Sequence, residues 1–102
     1  MVVEYRNVKA LHQTGRFSHY ASTSGGRTLY LSGQVALDED GNVVGEGDYE
    51  AQVRQVYDNL ESVLDSAGAT WADVAITHIY IVGFTTERYA KLREIRAEYI
   101  GD

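Results

Sequence analysis

The chain contains no cysteine and no proline among its 102 residues. Without cysteine it has no disulfide framework, no thiolate ligand for zinc and no cysteine nucleophile. It also lacks an apolar run of membrane-spanning length, and its N-terminus does not show the basic region and apolar stretch of a signal peptide. We therefore expect a cytoplasmic protein with no membrane partner.

Basic residues are also scarce, with 9 Lys and Arg against 15 Asp and Glu, giving a net charge of -6. The overall field of such a chain repels phosphate backbones, so nucleic acid is not an expected partner. Hydrophobic residues make up 44% and charged residues 24% of the chain, as is common for globular proteins. The length predicts a single domain over residues 1–102, small enough that oligomerisation would help to bury its apolar surface.

The stretch from Thr28 to Leu37 follows a glycine turn and alternates apolar with more polar side chains. A period of two predicts a half-buried strand, and the turn predicts a hairpin with a preceding strand over residues 16–23. Gly33 interrupts the alternation. A glycine inside a strand marks either a β-bulge or a place where a ligand or another backbone comes close, and both interpretations stay open.

The rest of the chain predicts further strands over residues 2–5 and 74–82 and helices over residues 49–67 and 87–99. Asp48 and Thr85 stand at the N-cap positions of the two helices, and Gly68 and Gly101 follow their last turns. A helix that crosses between strands requires the later strand to lie parallel to an earlier one. The order of elements therefore predicts an α+β fold, a mixed β-sheet with two helices packed on one face.

Three motifs carry a resemblance to a known family: Ser32-Gly33-Gln34 after a hydrophobic strand, Phe17-Ser18-His19 in the paired strand upstream, and the helix from Gln52 to Gly68 downstream. Together they resemble the Rid family, the RidA/YjgF type of reactive-intermediate deaminases, from about Thr14 to Asp102. The resemblance implies a chorismate-mutase-like fold and a homotrimer with clefts between its subunits. It also implies hydrolysis of reactive imino and enamino acids to 2-oxo acids and ammonia, without a metal or other cofactor.

The resemblance implies a substrate-binding set by position. Gly33 matches the glycine whose backbone lines the family's cleft, and its two neighbours match as well. Arg93 stands where many members have asparagine, and a guanidinium can form a bidentate pair with a carboxylate. We therefore expect a small anionic metabolite, an imino or oxo acid, as the ligand. The expected binding residues are Phe17, which replaces a usual tyrosine, Ser32, Gly33, Gln34, Tyr89, which is an aromatic wall, and Arg93.

Members of the family typically continue beyond the second helix with strands that carry an arginine for the substrate carboxylate and a glutamate that orients water. The sequence ends at Asp102, so no catalytic residue is assigned. We expect a divergent member that lacks these strands and is inactive or weak as a deaminase. The alternative is a noncatalytic metabolite-binding trimer that uses Gly33, Tyr89 and Arg93. A third possibility is a structural oligomer that binds no ligand.

Other patterns point less clearly to chemistry. The acidic stretch from Asp38 does not match an EF-hand loop, because its glycine stands fourth and its twelfth position is Tyr49. The three histidines, at positions 12, 19 and 78, lack the i, i+4 spacing of a helical metal pair. Basic residues of the second helix are interspersed with glutamates, which is typical of a solvated face, and interleaved basic and aromatic residues of an RNA-binding surface are not found.

Overall fold

The computed structural model describes residues 2–7, 9, 12–13 and 18–101. They fall into two compact units, Met1–Tyr30 and Leu31–Asp102. The elements, in chain order, are β1 (Val2–Arg6), β2 (Tyr20–Ser24), α1 (Tyr49–Ser66), a single 3-10 turn (Trp71–Asp73) and α2 (Thr86–Ile100). The α+β class predicted from the sequence is confirmed.

The first unit is built on the antiparallel pair of β1 and β2, with Val2 opposite Ser24 and Arg6 opposite Tyr20. One further backbone bond, from His19 N to Arg6 O at 2.9 Å, extends the ladder. The predicted strand over residues 2–5 is confirmed. The predicted strand over residues 16–23 begins later, at Tyr20, and its partner is β1 rather than the segment after the glycine turn; residues 14–17 lie outside the described residues.

The strands predicted over residues 28–37 and 74–82 are not formed in the described part of the chain. One isolated antiparallel bridge, between Leu37 and Val43, is the only pairing assigned there. Alternation of apolar and polar side chains favours a strand, but a strand also needs a neighbour for its backbone N–H and C=O groups. Apart from the short pairing at Leu37, the described residues supply these segments with no such neighbour. The sheet of the described chain therefore contains the two antiparallel strands β1 and β2 rather than a mixed set.

Helix α1 begins where the sequence predicts. The Asp48 side chain accepts a hydrogen bond from Ala51 N at 3.1 Å, and Gly68 follows the last turn with φ of +73°. An N-cap carboxylate satisfies an amide that has no partner inside the helix, and its charge complements the positive end of the helix dipole. The predicted apolar stripe is confirmed where the helix buries Val53, Tyr57 and Leu64.

Helix α2 is one residue longer at each end than predicted. The Thr85 hydroxyl accepts from Arg88 N at 3.0 Å and caps the first turn, and Gly101 ends the helix with φ of +81°. Its buried residues are Leu92 and Ile95. These two side chains form the face with which α2 packs on α1.

The core of the second unit consists of Val53 and Tyr57 from α1 and of Leu92 and Ile95 from α2. Tyr99 continues this contact, because its ring stacks on Tyr57 at 5.3 Å between centroids and its hydroxyl donates to Asp58 Oδ1 at 2.8 Å. Burial, together with the bond to Asp58, raises the pKa of Tyr99 to about 12. The hydroxyl therefore remains a donor across the neutral range.

Charged side chains join the exposed edges of the same two helices. Arg54 of α1 donates to Glu98 of α2 and, at 3.2 Å, to Glu50 one turn earlier. The bond from Arg54 lowers the pKa of Glu98. Exposed pairs of this kind contribute little each, so the helix pair is held mainly by its apolar contact. Neither helix is long and apolar enough to cross a membrane, among the residues that the structure describes.

Candidate functional site

An open groove of about 450 Å³ lies between the segment 33–39 and the middle of α1. Gly33 and Gln34 line it from the segment, and Asn59 and Ser62 line it from the helix. A Cβ added at Gly33 would meet nothing within 4 Å, and the residue does not have a positive φ. Neither backbone conformation nor crowding within the described chain therefore requires glycine here, and its peptide is open to a ligand or a second chain.

The segment that lines the groove is anchored to α1 by one side chain. Asn59 Nδ2 donates to Val35 O at 3.2 Å and to Leu37 O at 3.0 Å. The Asn59 carbonyl oxygen accepts from Gln55 Nε2 at 2.8 Å. Both amide hydrogens and the oxygen are thus engaged, so the side chain has a defined orientation.

A tight turn continues the groove wall. The Asp38 carboxylate accepts from Asp40 N and Asn42 N, each at 2.9 Å. The bond from Asn42 is the main reason why the pKa of Asp38 lies below its usual value. With Glu39 beside it, this carboxylate makes one end of the groove lining negative.

Two other expected binding residues, Tyr89 and Arg93, lie on α2. The Arg93 guanidinium carbon stands 5.9 Å from the centroid of the Tyr89 ring, and Tyr89 contacts Phe84 with 6.0 Å between ring centroids. Arg93 forms no ion pair with the rest of the described chain. A half-buried cation that an aromatic ring orients, without a carboxylate partner, is suited to an anionic ligand.

A neighbouring arginine, Arg88, already has partners within the chain. Arg88 Nη1 donates to Val82 O at 2.7 Å, and its guanidinium lies 5.1 Å from the centroid of the Tyr49 ring. The Tyr49 hydroxyl in turn donates to Arg88 O at 2.8 Å. Burial raises the pKa of Tyr49, which keeps this donor protonated. The small pocket of about 130 Å³ beside the pair is lined by Tyr49, Arg88 and Asp48, which already have partners, and by Gly47 and Gln52.

The expected site residues thus fall into two groups within one chain. Gly33 and Gln34 line the groove, and the Ser32 carbonyl adjoins it by accepting from Gln34 Nε2 at 3.3 Å. Tyr89 and Arg93 do not line this groove. Phe17, the sixth expected residue, lies outside the described residues.

The groove also contains residues that the sequence analysis did not assign to a site. Asn59 and Ser62 come from α1, and Asp38 and Glu39 come from the turn. The sequence did contain a signal for the helix residues. Positions 55, 59 and 62 are four and three residues apart, so their polar side chains lie on the same face of α1. The described residues contain no group of three possible metal ligands. The Nε2 atom of His19 lies 3.0 Å from the backbone oxygen of His12.

Comparison of the sequence with known proteins identifies the family of this chain. The model of the family described as Endoribonuclease L-PSP matches residues 7–102. A RutC family protein of Sulfurisphaera tokodaii is 34% identical over 77 residues, which is 76% of this chain and 60% of that protein. The chain therefore spans less than two thirds of the length of this curated relative.

A solved structure agrees with the sequence comparisons. The crystal structure of YyfB from Yersinia pestis, described as a protein of unknown function of the conserved Rid protein family, is similar with a TM-score of 0.84 and 38% identity. The similarity covers 99% of this chain and 78% of the other. With a family match over nearly all of its residues and a fold shared with a Rid protein, the chain belongs to the Rid/YjgF family, whose family model bears the name Endoribonuclease L-PSP.

Proposed function

We propose that this chain is a subunit of a homotrimer whose clefts bind small 2-imino or 2-oxo acids, in the manner of imine and enamine deaminases of the Rid type. The observation that carries the proposal is Arg93, a half-buried cation that lies over Tyr89 and has no carboxylate partner in the described chain. A guanidinium can hold both oxygens of a substrate carboxylate. Tyr89 would limit the rotation of the guanidinium and cover one side of it.

The groove would receive the other end of the ligand. Its lining offers the open Gly33 peptide, the Gln34 amide and the Ser62 hydroxyl, which are neutral hydrogen-bonding groups suited to a C=N or C=O group. In the hydrolysis, one water adds to the carbon of the C=N bond, and the resulting carbinolamine loses ammonia to leave the ketone. A cleft that closes over these groups would place water and substrate together.

Two observations favour assembly from several copies. Tyr89 and Arg93 do not line the groove that contains Gly33 and Gln34, so one ligand that touches both groups needs them from different subunits. In addition, the segment around residue 80 leaves large apolar side chains in solvent, with Tyr80 91% and Val82 90% exposed. Burial of such side chains between subunits is favourable by roughly 25 cal/mol for each Å². A homotrimer is the assembly that the proposal adopts.

Replacing Arg93 by alanine tests the proposal. We expect the affinity for 2-oxobutanoate, measured by isothermal titration calorimetry, to fall by about 10- to 100-fold, because a charge-assisted hydrogen bond contributes roughly 1.5 to 3 kcal/mol. Lys91→Ala is the matched control, since it removes one positive charge from the same helix but from a residue paired with Glu94 at 3.4 Å. An Arg93→Ala protein that binds as tightly as the unmodified chain would contradict the site.

The same variants separate catalysis from binding. Ammonia release from freshly generated 2-aminoacrylate, lost in Arg93→Ala and kept in Lys91→Ala, would identify a deaminase. Binding of 2-oxobutanoate without ammonia release would identify a noncatalytic metabolite-binding protein. One observation favours this second function: Asp38, the groove residue with a shifted pKa, has its pKa lowered, away from the range of a general acid or base at neutral pH.

A further inference from the structure

The segment that forms one wall of the groove is not held by a sheet. No strand is assigned between residues 28 and 36 in the described chain. Its backbone bonds are local: Leu37 N donates to Val35 O at 2.8 Å, and Val44 N donates to Ala36 O at 2.8 Å. A segment without a ladder of backbone hydrogen bonds to a neighbouring strand needs another group to fix its position.

Asn59 of α1 is that group. Its two amide hydrogens are donated to the carbonyl oxygens of Val35 and Leu37, which bracket Ala36, the buried residue of the segment. Gln55 donates to the Asn59 oxygen from one helical turn earlier and so fixes the amide plane. The three bonds fasten the segment to the middle of an 18-residue helix, the longest element described in the chain.

Helix formation itself does not explain an asparagine at this position. Asparagine is less favourable than alanine inside a helix by roughly 0.7 kcal/mol, because its side chain competes for backbone hydrogen bonds. At position 59 the side chain instead bonds to a segment more than 20 residues away in the sequence, with separations of 24 and 22 residues. Asn59 therefore contributes by binding this segment to α1, and not by stabilising the helix itself.

We propose that Asn59 is a positioning residue for the ligand cleft, which sets the backbone of residues 33–37 so that the Gly33 and Gln34 groups face the groove. The inference rests on the proposed function for what the cleft binds, but not for the placement of the segment. Asn59 acts through the backbone, because both of its amide hydrogens are engaged with Val35 and Leu37 and are not available to a ligand.

The test uses Asn59→Asp in the whole chain, with Ser66→Ala as control. Aspartate has nearly the same shape and still accepts from Gln55, but it places a carboxylate oxygen against two carbonyl oxygens. Ser66 belongs to the same helix and is exposed, but it does not line the groove. In the absence of ligand, we expect Asn59→Asp to shift the amide NMR resonances of Gly33 and Gln34 and to lower the ¹⁵N order parameters of residues 33–37, while Ser66→Ala leaves both unchanged.

Titration with 2-oxobutanoate completes the experiment. We expect the affinity to fall about tenfold in Asn59→Asp and to change less than twofold in Ser66→Ala. Unchanged resonances and order parameters in Asn59→Asp would overturn the positioning role, as would wild-type affinity; a merely structural role would lower the melting temperature without moving Gly33. If the unmodified chain does not bind 2-oxobutanoate although the resonances shift, the proposed function fails while the placement of the segment by Asn59 stands.

Discussion

Replacing Ile95 by alanine is expected to lower the free energy of unfolding by about 2 to 5 kcal/mol, the usual range for a buried isoleucine. Ile95 has 0% of its surface exposed and belongs to the cluster that joins α1 and α2. The loss has two parts, the transfer of fewer apolar atoms from water and the cavity that its neighbours do not fill. Ile95 is one of only four buried residues in this cluster, and the other hydrophobic residues packed against it are partly exposed.

Urea denaturation at a fixed protein concentration, followed by circular dichroism, measures this loss. Ile100→Ala is the matched control, because it is the same change in the same helix at a residue that is 40% exposed in the last turn. The control should lose less than about 1 kcal/mol. Equal losses in the two variants would show that the contact between α1 and α2 is not the main source of stability.

The helices could be predicted from the sequence because their signals are local. Asp48 and Thr85 accept the capping hydrogen bonds that their positions predict, and Gly68 and Gly101 have the positive φ expected after a last turn. Capping and periodicity act within a few residues, so they need no knowledge of the rest of the fold. For this reason, the ends of both helices lie within one residue of the predicted ends.

The strands could be predicted only in part, because a strand needs a hydrogen-bonded neighbour that can be distant in the sequence. Residues 28–37 have the period of a strand, yet in the described chain they are held by Asn59 and by one bridge from Leu37 to Val43. The same limit applies to the site. The resemblance placed Gly33 and Gln34 in a cleft, and both line the groove, whereas the opposite wall comes from Asn59 and Ser62, which short motifs around Gly33 do not contain.

The turn before α1 offers the sharpest test of backbone constraint. Gly45 has φ of +67°, and its carbonyl oxygen accepts from Asp48 N at 2.7 Å. A Cβ at this glycine would lie 2.7 Å from Ala51 Cβ and 3.2 Å from Asp48 O. Alanine here would meet both a disfavoured backbone conformation and a clash with the first turn of the helix, where Asp48 is the N-cap.

We expect Gly45→Ala to lower the free energy of unfolding by about 2 to 4 kcal/mol, from roughly 1 to 2 kcal/mol for the left-handed conformation and a similar contribution from the clash. Gly47→Ala separates the two contributions, because Gly47 has φ of +76° but a Cβ there would meet nothing within 4 Å. The control should therefore lose only the conformational part, about 1 to 2 kcal/mol. If both variants unfold at the same urea concentration, the close approach of Gly45 to Ala51 adds nothing, and the turn constrains α1 only through the φ angles of its glycines.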